Sequence, residues 1–416
     1  MRTRRLDAVP VYLIYSGGGA LFSQLVFAVN LVYQVQVAHL NPLQLVLVGT
    51  VLEVTAFLFE IPTGVVADVY SRRLSLIIGC FLLGIGLALQ GVVPEFGVIL
   101  IAQVIWGIGY TFTSGAEQAW ITDAVGEGRA AGLFLRAAQL GTVAALVATV
   151  MATIIGNFNL QLPILIGGGA YLLLGLFLIV AMPERGFIPT PRAERETWRA
   201  MGDTFGAGLA LVRRSPTLVT ILGIVAISGA ATETFDRLST DHPLRGFAFP
   251  DAGGLQPVAF LGAASVAGRL LNLGAMEVVR RRQNLASHRA VARTLTAITA
   301  LLVVGYVAFA LSGNLAFALL ASTVVRLCRT VASPLTAAWL NQHVESRVRA
   351  TVFSMSGQAD ALGQIAGGPV FGVVGLSSAR LALALGGAVL SPALLLYART
   401  LRRDGAVPVV VGEAEA

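Results

Sequence analysis

The sequence predicts an all-α polytopic membrane protein with twelve transmembrane helices in two pseudo-symmetric six-helix bundles. Three observations predict this fold class. Of the 416 residues, 56% are hydrophobic and only 12% are charged, which is more apolar than a soluble domain of this size requires. Apolar runs of about 20 residues, long enough to cross a bilayer, recur along nearly the whole chain. The arginines fall mainly in alternate connections between these runs, as expected of a chain that crosses the membrane repeatedly.

The apolar runs define the helices in order. They are predicted at 10–37, 43–66, 74–93, 97–121, 130–154, 161–182, 216–236, 256–278, 292–312, 315–340, 350–374 and 380–399. The longest polar connection follows the sixth run and is rich in proline and charge. The chain therefore divides into a first bundle at 1–184, a cytoplasmic linker at 185–215 with a segment able to form an interfacial helix, a second bundle at 216–400 and a cytoplasmic tail at 401–416.

The basic residues indicate how the chain is oriented. All 29 are arginines, and the odd-numbered connections contain only Arg237, Arg245 and Arg380. By the positive-inside rule, we expect both termini in the cytoplasm. The expected location is the bacterial cytoplasmic (inner) membrane. The net charge of +7 then reflects topology, and no nucleic-acid partner is expected.

A shift of 219 residues aligns helix 4 and the start of helix 5 with helix 10 and the start of helix 11. It pairs Trp120 with Trp339 and Ser114 with Ser333, and it runs without a gap through the following loop. Tryptophan is rare in this chain, with four residues in total, so the match indicates a duplication of six helices. Parallel repeats of this kind are typical of one large class of membrane transport folds.

Ionisable residues are absent from the interior of every third helix. Helices 3, 6, 9 and 12 contain none away from their ends, as expected if these four face lipid and the others surround a polar interior. The other helices carry Glu53, Glu60, Glu117, Arg136, Glu233, Arg269, Arg326, Arg329 and Asp360. A charge at the bilayer centre costs at least about 2.5–3.5 kcal/mol, so each needs a partner or a watery cavity.

Six of these residues are candidates for binding substrate or coupling to protons. They are Glu53, Glu233, Arg269, Arg326, Arg329 and Asp360. Most lie near the predicted midplane, whereas Glu233 lies near the outer end of helix 7. Burial favours the neutral form of a carboxylate, so such groups can bind and release protons. Arg326 and Arg329 share one face of helix 10.

Two interpretations of the arginines stay open. They can hold an anionic group on a substrate, or they can be counter-ions to Glu53 or Asp360. Buried ion pairs that lock helices together are the alternative account of the midplane charges. Glu60, Glu117, Asp123 and Arg136 are supporting intramembrane charges.

The turn between helices 2 and 3 reads FEIPTGVVADVYSRRLSL, from Phe59 to Leu76. It resembles the signature of the major facilitator superfamily, in which Gly64, Asp68, Arg72 and Arg73 would form a cytoplasmic gate motif. The resemblance implies a major facilitator fold and a latch in which Asp68 bonds across the interface between the bundles. A degenerate copy, GAMEVVRRR, follows helix 8.

Other stretches resemble the macrolide and drug-efflux branch of bacterial members, among them TFTSGAEQAWITD from Thr111 and VRATVFSMSG from Val348. This resemblance implies proton-coupled efflux of a small amphipathic compound by alternating access, with the proton gradient as energy source. Helix 4 lacks the arginine of many proton-coupled exporters, and helix 5 lacks the GPxxGG antiporter signature. Uptake or facilitated transport of a polar or anionic metabolite therefore stays open, as does a non-transporting sensor or scaffold.

No enzyme is predicted. The histidines lie near loops, and the two cysteines lie in different bundles without a disulfide, metal or catalytic motif. We expect no cofactor and no bound metal. The expected partners are a small-molecule substrate and the lipid bilayer, and the protein is expected to be a monomer.

Overall fold

The computed structural model describes residues 6–184, 186–187, 206, 210, 212–213, 215–282, 287–344 and 349–403. Twelve helical spans in this part of the chain are long and apolar enough to cross a membrane, which confirms the predicted fold class. We number them 1 to 12 in chain order. Their bounds are Ala8–Gln36, Pro42–Val69, Arg72–Val92, Phe96–Val125, Glu127–Phe158, Gln161–Ala181, Pro216–Gly246, Pro257–Arg281, His288–Ala310, Leu315–Asn341, Thr351–Ser377 and Ala379–Leu401.

Short polar side chains begin many of these helices. A serine or asparagine at the N-cap accepts a hydrogen bond from the first turn of spans 2, 3, 7, 9, 10 and 12, which satisfies a backbone donor that the helix leaves free. At span 2, Asn41 and Gln44 form a reciprocal capping box ahead of Pro42. These caps fix where the chain turns back into the membrane.

Three spans are interrupted. Span 1 consists of helices Ala8–Phe27 and Asn30–Gln36. Span 4 breaks at Gly115, whose φ of 73° suits glycine. Span 12 breaks at Leu390, just before Pro392, which has no backbone N–H to continue the helix.

The spans pack as two bundles with the same internal arrangement. In the first bundle, span 3 packs on spans 4 and 6, span 1 on span 5, and span 2 on span 4. In the second bundle, the same pairs recur six spans later: span 9 packs on spans 10 and 12, span 7 on span 11, and span 8 on span 10.

The molecule has two ends, because neighbouring spans run antiparallel. We call the end where span 1 begins the arginine side and the other end the opposite side. On the arginine side, the Leu6 amide donates to the Ala181 carbonyl over 3.1 Å, which joins the start of span 1 to the end of span 6. On the opposite side, Arg245 at the end of span 7 donates to the Leu40 carbonyl over 2.7 Å.

The bundles touch on the opposite side through spans 1, 2, 5, 7, 8 and 11. Small residues make this contact close. A methyl group added at Gly372 would lie 2.9 Å from Leu43 Cδ1, and one at Gly375 would lie 2.9 Å from Pro42 Cβ. Gly262 of span 8 likewise faces Thr153 of span 5.

The same spans are apart on the arginine side. A methyl group added at Gly64, Gly132, Gly274 or Gly357, on spans 2, 5, 8 and 11, would meet no atom within 4 Å. The structure is therefore closed on the opposite side and open on the side that the arginines predict to be cytoplasmic.

The structure extends span 7 well beyond its predicted end. The predicted helix stops at 236, whereas the structure continues it to Gly246. Charged residues lowered the local hydropathy, but they pair one turn apart: Arg237 with Glu233, and Arg245 with Asp241. Arg237 and Arg245 thus lie inside the span and not in a connection, and Glu233 lies near its middle and not at its outer end.

The predicted linker and tail are described only in part. Apart from 186–187, 206, 210, 212–213 and 215, the linker at 185–215 and its expected interfacial helix lie outside the described residues. The tail does so beyond residue 403.

Candidate functional site

Two adjoining cavities lie at the centre of the molecule. The larger measures about 920 Å³ and is lined by all six spans of the second bundle, whereas the first bundle contributes span 1. It extends to Phe353 near the arginine-side end of span 11. The smaller cavity, about 290 Å³, shares Phe27, Leu31, Asp236 and Arg326 with the larger one. It lies where the bundles meet.

The structure brings the six predicted candidates to these two cavities. Arg269, Arg326, Arg329 and Asp360 line the larger cavity. Glu53, Glu233 and Arg326 line the smaller one.

Arg329 is neutralised by a residue that the sequence reasoning missed. Its Nη1 and Nη2 donate to the two carboxylate oxygens of Asp236 over 2.5 and 2.9 Å. This fork-to-fork geometry is the strongest form of an arginine–carboxylate pair. The expectation that Glu53 or Asp360 would be the counter-ion is wrong for Arg329, because span 7 turns Asp236 toward it.

Arg326 is held in place by neutral partners. Its Nη2 donates to Ser239 Oγ over 2.9 Å, and its guanidinium lies 5.4 Å from the centre of the Phe235 ring. The Arg329 guanidinium lies 5.9 Å from the same ring. Asp236 already pairs bidentately with Arg329, so Arg326 is oriented without a carboxylate of its own.

The Glu233–Arg237 ion pair of the second bundle packs against the backbone of the first bundle. Glu233 is buried and accepts from Arg237 Nε over 2.9 Å. Both side chains press against Gly49 of span 2, where even a methyl group would overlap them. A larger residue at position 49 would therefore force the Glu233–Arg237 pair to shift.

Glu53 lies one turn further along span 2 and is half-buried. It lines the smaller cavity together with Glu233 and Arg237. Within the described chain no ion pair or hydrogen bond joins Glu53 to another residue. Glu53 is thus a carboxylate without a direct ion-pair partner among the described residues, at the meeting point of the two bundles.

Asp360 of span 11 accepts a hydrogen bond from Gln364 Nε2 over 2.8 Å. Its backbone packs against Gly229 of span 7, where a methyl group would overlap the Asp360 carbonyl. Asp360 is therefore fixed in the wall of the larger cavity by neutral contacts.

The sequence and the fold both have counterparts among known proteins. Residues 12–367 match the family described as Major Facilitator Superfamily. The chain belongs to the major facilitator superfamily. The expected superfamily is thus confirmed, and the protein is a multi-pass membrane transporter in the sense of that family.

One relative among curated proteins is the MFS-type transporter YxaM of Bacillus subtilis (strain 168). It is 27% identical over 138 residues, which cover 33% of this chain and 35% of that protein. The matched segment thus spans about a third of the relative's length.

Solved transporters share the fold. The nucleoside transporter NupG is 14% identical with a TM-score of 0.73, covering 95% of this chain and 99% of that chain. A POT family transporter in complex with a thioalcohol-conjugated peptide is 13% identical with a TM-score of 0.71, covering 95% and 96%. A bacterial homologue of the human lysosomal transporter Spinster, inward-facing and unoccupied, is 13% identical with a TM-score of 0.72, covering 95% and 94%. These identities show a common fold alone.

The residues of the predicted gate motif, Gly64, Asp68, Arg72 and Arg73, lie at the open arginine side. Arg72 forms an ion pair with Asp123 at the end of span 4, and its Nη2 lies 3.8 Å from Asp68 Oδ1. Arg73 donates to the Ile179 carbonyl over 2.5 Å. The Asp68 side chain is 58% exposed, and Gly64 faces open space. Among the described residues, no hydrogen bond or ion pair joins Asp68 to the second bundle in this conformation, so the expected latch contact is not formed here.

The supporting charges have separate surroundings. Asp123 pairs with Arg72, and Glu117 is half-buried in the first turn of Ala116–Val125. Glu60 and Arg136 are exposed and line neither cavity.

Spans 3, 6, 9 and 12, which were predicted to face lipid, differ between the two bundles in whether they line a cavity. Within the described chain, no residue of span 3 or 6 lines either cavity. Span 9 contributes Thr299, Leu302 and Tyr306, however, and span 12 contributes Leu390 and Tyr397. All four spans carry exposed large apolar side chains, so spans 9 and 12 combine an outer apolar face with a share of the cavity wall.

Sequence reasoning missed Asp236, Arg237 and Ser239. The available signal was the four-residue spacing of Glu233 with Arg237 and of Asp241 with Arg245, because pairs at this spacing share a helix face and can neutralise each other. That spacing would have extended helix 7 and placed Asp236 inside the membrane.

Proposed function

We propose that this major facilitator exports a small amphipathic compound in exchange for protons, by alternating access between its two bundles. One observation carries the proposal: Glu53 lies in a cavity where the bundles meet and has no direct ion pair or hydrogen bond with any described residue.

The charges where the two bundles meet support a proton-carrying role for Glu53. The smaller cavity brings three carboxylates, from Glu53, Glu233 and Asp236, together with Arg237 and Arg326. Glu233 and Asp236 have ion-pair partners. A carboxylate in a low-dielectric site without such a partner is the one whose protonation state responds most readily to its surroundings.

Arg237 links this proton site to the contact between the two bundles. It pairs with Glu233 where the bundles are in contact, and it lines the same small cavity as Glu53. A negative charge on Glu53 competes with Glu233 for this guanidinium, and protonation of Glu53 removes the competition. Proton binding can therefore change the contact that holds the two bundles together on the opposite side.

The larger cavity suits an amphipathic compound. Its volume is in the range of small-molecule sites, and Phe27, Leu31, Leu302 and Leu319 contribute apolar wall. Spans 7, 8, 10 and 11 contribute polar groups to the same cavity wall.

The orientation belongs to the same proposal. The ends rich in arginine lie on the open side, so the cavity would load from the cytoplasm of a bacterial cell, with both termini cytoplasmic. We also propose that a monomer is sufficient, since both cavities form within one chain, and that the proton gradient is the energy source.

Proton movement in everted membrane vesicles tests this function. Respiration acidifies such vesicles, and a fluorescent amine such as 9-amino-6-chloro-2-methoxyacridine reports the gradient. We expect some members of a panel of amphipathic toxic compounds to dissipate the gradient when the protein is present. The Glu53→Gln variant should lose this response, whereas Glu60→Gln, the same change on the same span outside both cavities, should keep it.

Equal responses in the wild type and in Glu53→Gln, at matched protein levels, would contradict the role of Glu53. Failure of every compound to move protons through the folded wild-type protein would contradict proton coupling.

Uptake of a polar or anionic metabolite is the second candidate. The observation that favours it is the exposure of Arg269 and Arg326 to the larger cavity. Under this alternative, labelled substrate should cross proteoliposome membranes without any ion gradient, and a protonophore should leave the flux unchanged.

A further inference from the structure

The larger cavity contains more positive charge than its wall neutralises. Three arginines line it, Arg269, Arg326 and Arg329, against two aspartates, Asp236 and Asp360. Asp236 and Arg329 cancel each other through their bidentate pair. Within the larger cavity, two guanidinium groups then face a single carboxylate, that of Asp360, which accepts a hydrogen bond from Gln364. Arg326 also lines the smaller cavity with Glu53, but no ion pair joins these two described residues.

Arg326 and Arg329 form an internal comparison. They lie three residues apart on span 10, and both guanidinium groups lie within 6 Å of the Phe235 ring, at 5.4 and 5.9 Å. Arg329 has a carboxylate partner, whereas Arg326 has the Ser239 hydroxyl. A hydroxyl fixes the direction of a guanidinium without cancelling its charge, so Arg326 is preorganised for an additional anion.

Arg269 lies in the same cavity on span 8 and is exposed to it. Among the residues that the structure describes, no hydrogen bond or ion pair reaches its side chain. An unneutralised charge at membrane depth is costly and points to a function for the residue. Two such arginines in one cavity can be neutralised together by a ligand that carries a negative charge.

The rest of the cavity decides what kind of anion fits. The space is far larger than a simple inorganic ion needs, and apolar side chains of spans 1, 9 and 10 line it: Phe27, Leu31, Leu302 and Leu319. We infer that the cavity binds an amphipathic organic anion, whose carboxylate contacts Arg326 and Arg269 while its apolar body packs toward span 1. This inference rests on the proposed function only in taking the larger cavity as the substrate site.

Matched ligands test the charge requirement on the full-length protein. The probes are 4-phenylbutyrate, octanoate and 2-naphthylacetate, each compared with its primary amide and with the amine of the same carbon skeleton. Thermal unfolding followed by tryptophan fluorescence reports binding, because a ligand that binds the native state raises the midpoint with its concentration. We expect carboxylates to raise the midpoint and to bind at least tenfold more tightly than the amides and amines. Chloride and inorganic phosphate at equal concentration should give no comparable shift.

Variants then assign the effect to the two arginines. Arg326→Gln and Arg269→Gln should each weaken carboxylate binding at least fivefold, while Arg326→Lys should keep the preference for carboxylate over amide. Arg136→Gln removes an exposed intramembrane arginine outside both cavities and should bind as the wild type does.

Three results would overturn the inference: amides or amines that bind as tightly as the carboxylates, carboxylate binding that survives both glutamine variants, or no carboxylate binding at millimolar concentration. The proposed proton exchange can be disproved independently of this inference. Its failure would appear as carboxylate binding without proton movement in the vesicle assay.

Discussion

The two bundles share an arrangement of helices but differ in chemistry. The repeat aligns Arg326 and Arg329 of span 10 with Gly107 and Tyr110 of span 4. Gly107 packs tightly, since a methyl group there would lie 3.0 Å from Thr55 Cγ2. In the second bundle, the equivalent place holds an arginine and opens into a cavity.

A buried hydrogen-bond network in the first bundle is built from neutral side chains, whereas the second bundle uses charged ones. Gln103 donates to Gln90 over 3.1 Å, and Gln90 donates to Asn30 over 3.0 Å. The second bundle uses ion pairs at Glu233 and Asp236 instead. The two bundles therefore share one arrangement of helices, whereas most of the charged groups that line the cavities belong to the second bundle. The first bundle adds a single carboxylate to the cavities, that of Glu53.

The largest effect is expected where the two bundles touch. Gly49→Leu cannot coexist with the Glu233–Arg237 pair in its present place, so it should open the opposite side and reduce transport more than a hundredfold. A cysteine placed at Thr153, in a background without Cys80 and Cys328, should react with a membrane-impermeant maleimide much faster in this variant.

Gly64→Leu is the matched control, the same change on the same span. It faces open space on the arginine side, so it should leave the opposite side closed and Thr153→Cys unreactive. Equal reactivity of Thr153→Cys in the two variants would show that Gly49 does not control closure of the opposite side.

A smaller effect should separate the two arginines of span 10. Arg329→Gln leaves Asp236 without its charged partner and should cost on the order of 2 kcal/mol of stability, discounted for the partial exposure of the pair. Arg326→Gln loses one hydrogen bond to a hydroxyl and should unfold close to the wild-type midpoint. Thermal unfolding in one detergent compares them, and an Arg326→Gln loss equal to that of Arg329→Gln would remove the distinction between a structural and a binding arginine.

The smallest effect is expected in the neutral network of the first bundle. Gln103→Leu removes one donor to Gln90 and should cost about 1 kcal/mol. The midpoint of thermal unfolding measures it, and ligand binding should not change. A loss of carboxylate binding in this variant would contradict the assignment of binding chemistry to the second bundle.

Much of the fold follows from local sequence, and the site does so only in part. Apolar runs long enough for the bilayer predicted all twelve spans. Span 7 was cut short because hydropathy counts Arg237 and Arg245 as polar, whereas in the structure each is paired with a carboxylate one turn away.

The partner of Arg329 could not be predicted in the same way. Whether Asp236, Glu53 or Asp360 reaches it depends on how spans 7 and 10 are rotated against each other, which no local pattern encodes. The role of Gly49 is equally non-local, because it depends on two side chains of the other bundle.

The most direct test of the central claim joins the proton site to the movement of the bundles. Spin labels on cysteines at Gly132 and Gly274, which face open space on spans 5 and 8 of the arginine side, would report the distance between bundles by electron–electron double resonance. The account predicts a distance distribution that shifts with pH in the wild type and in Glu60→Gln and that is independent of pH in Glu53→Gln. A shift of the same size in Glu53→Gln would show that another group carries the proton.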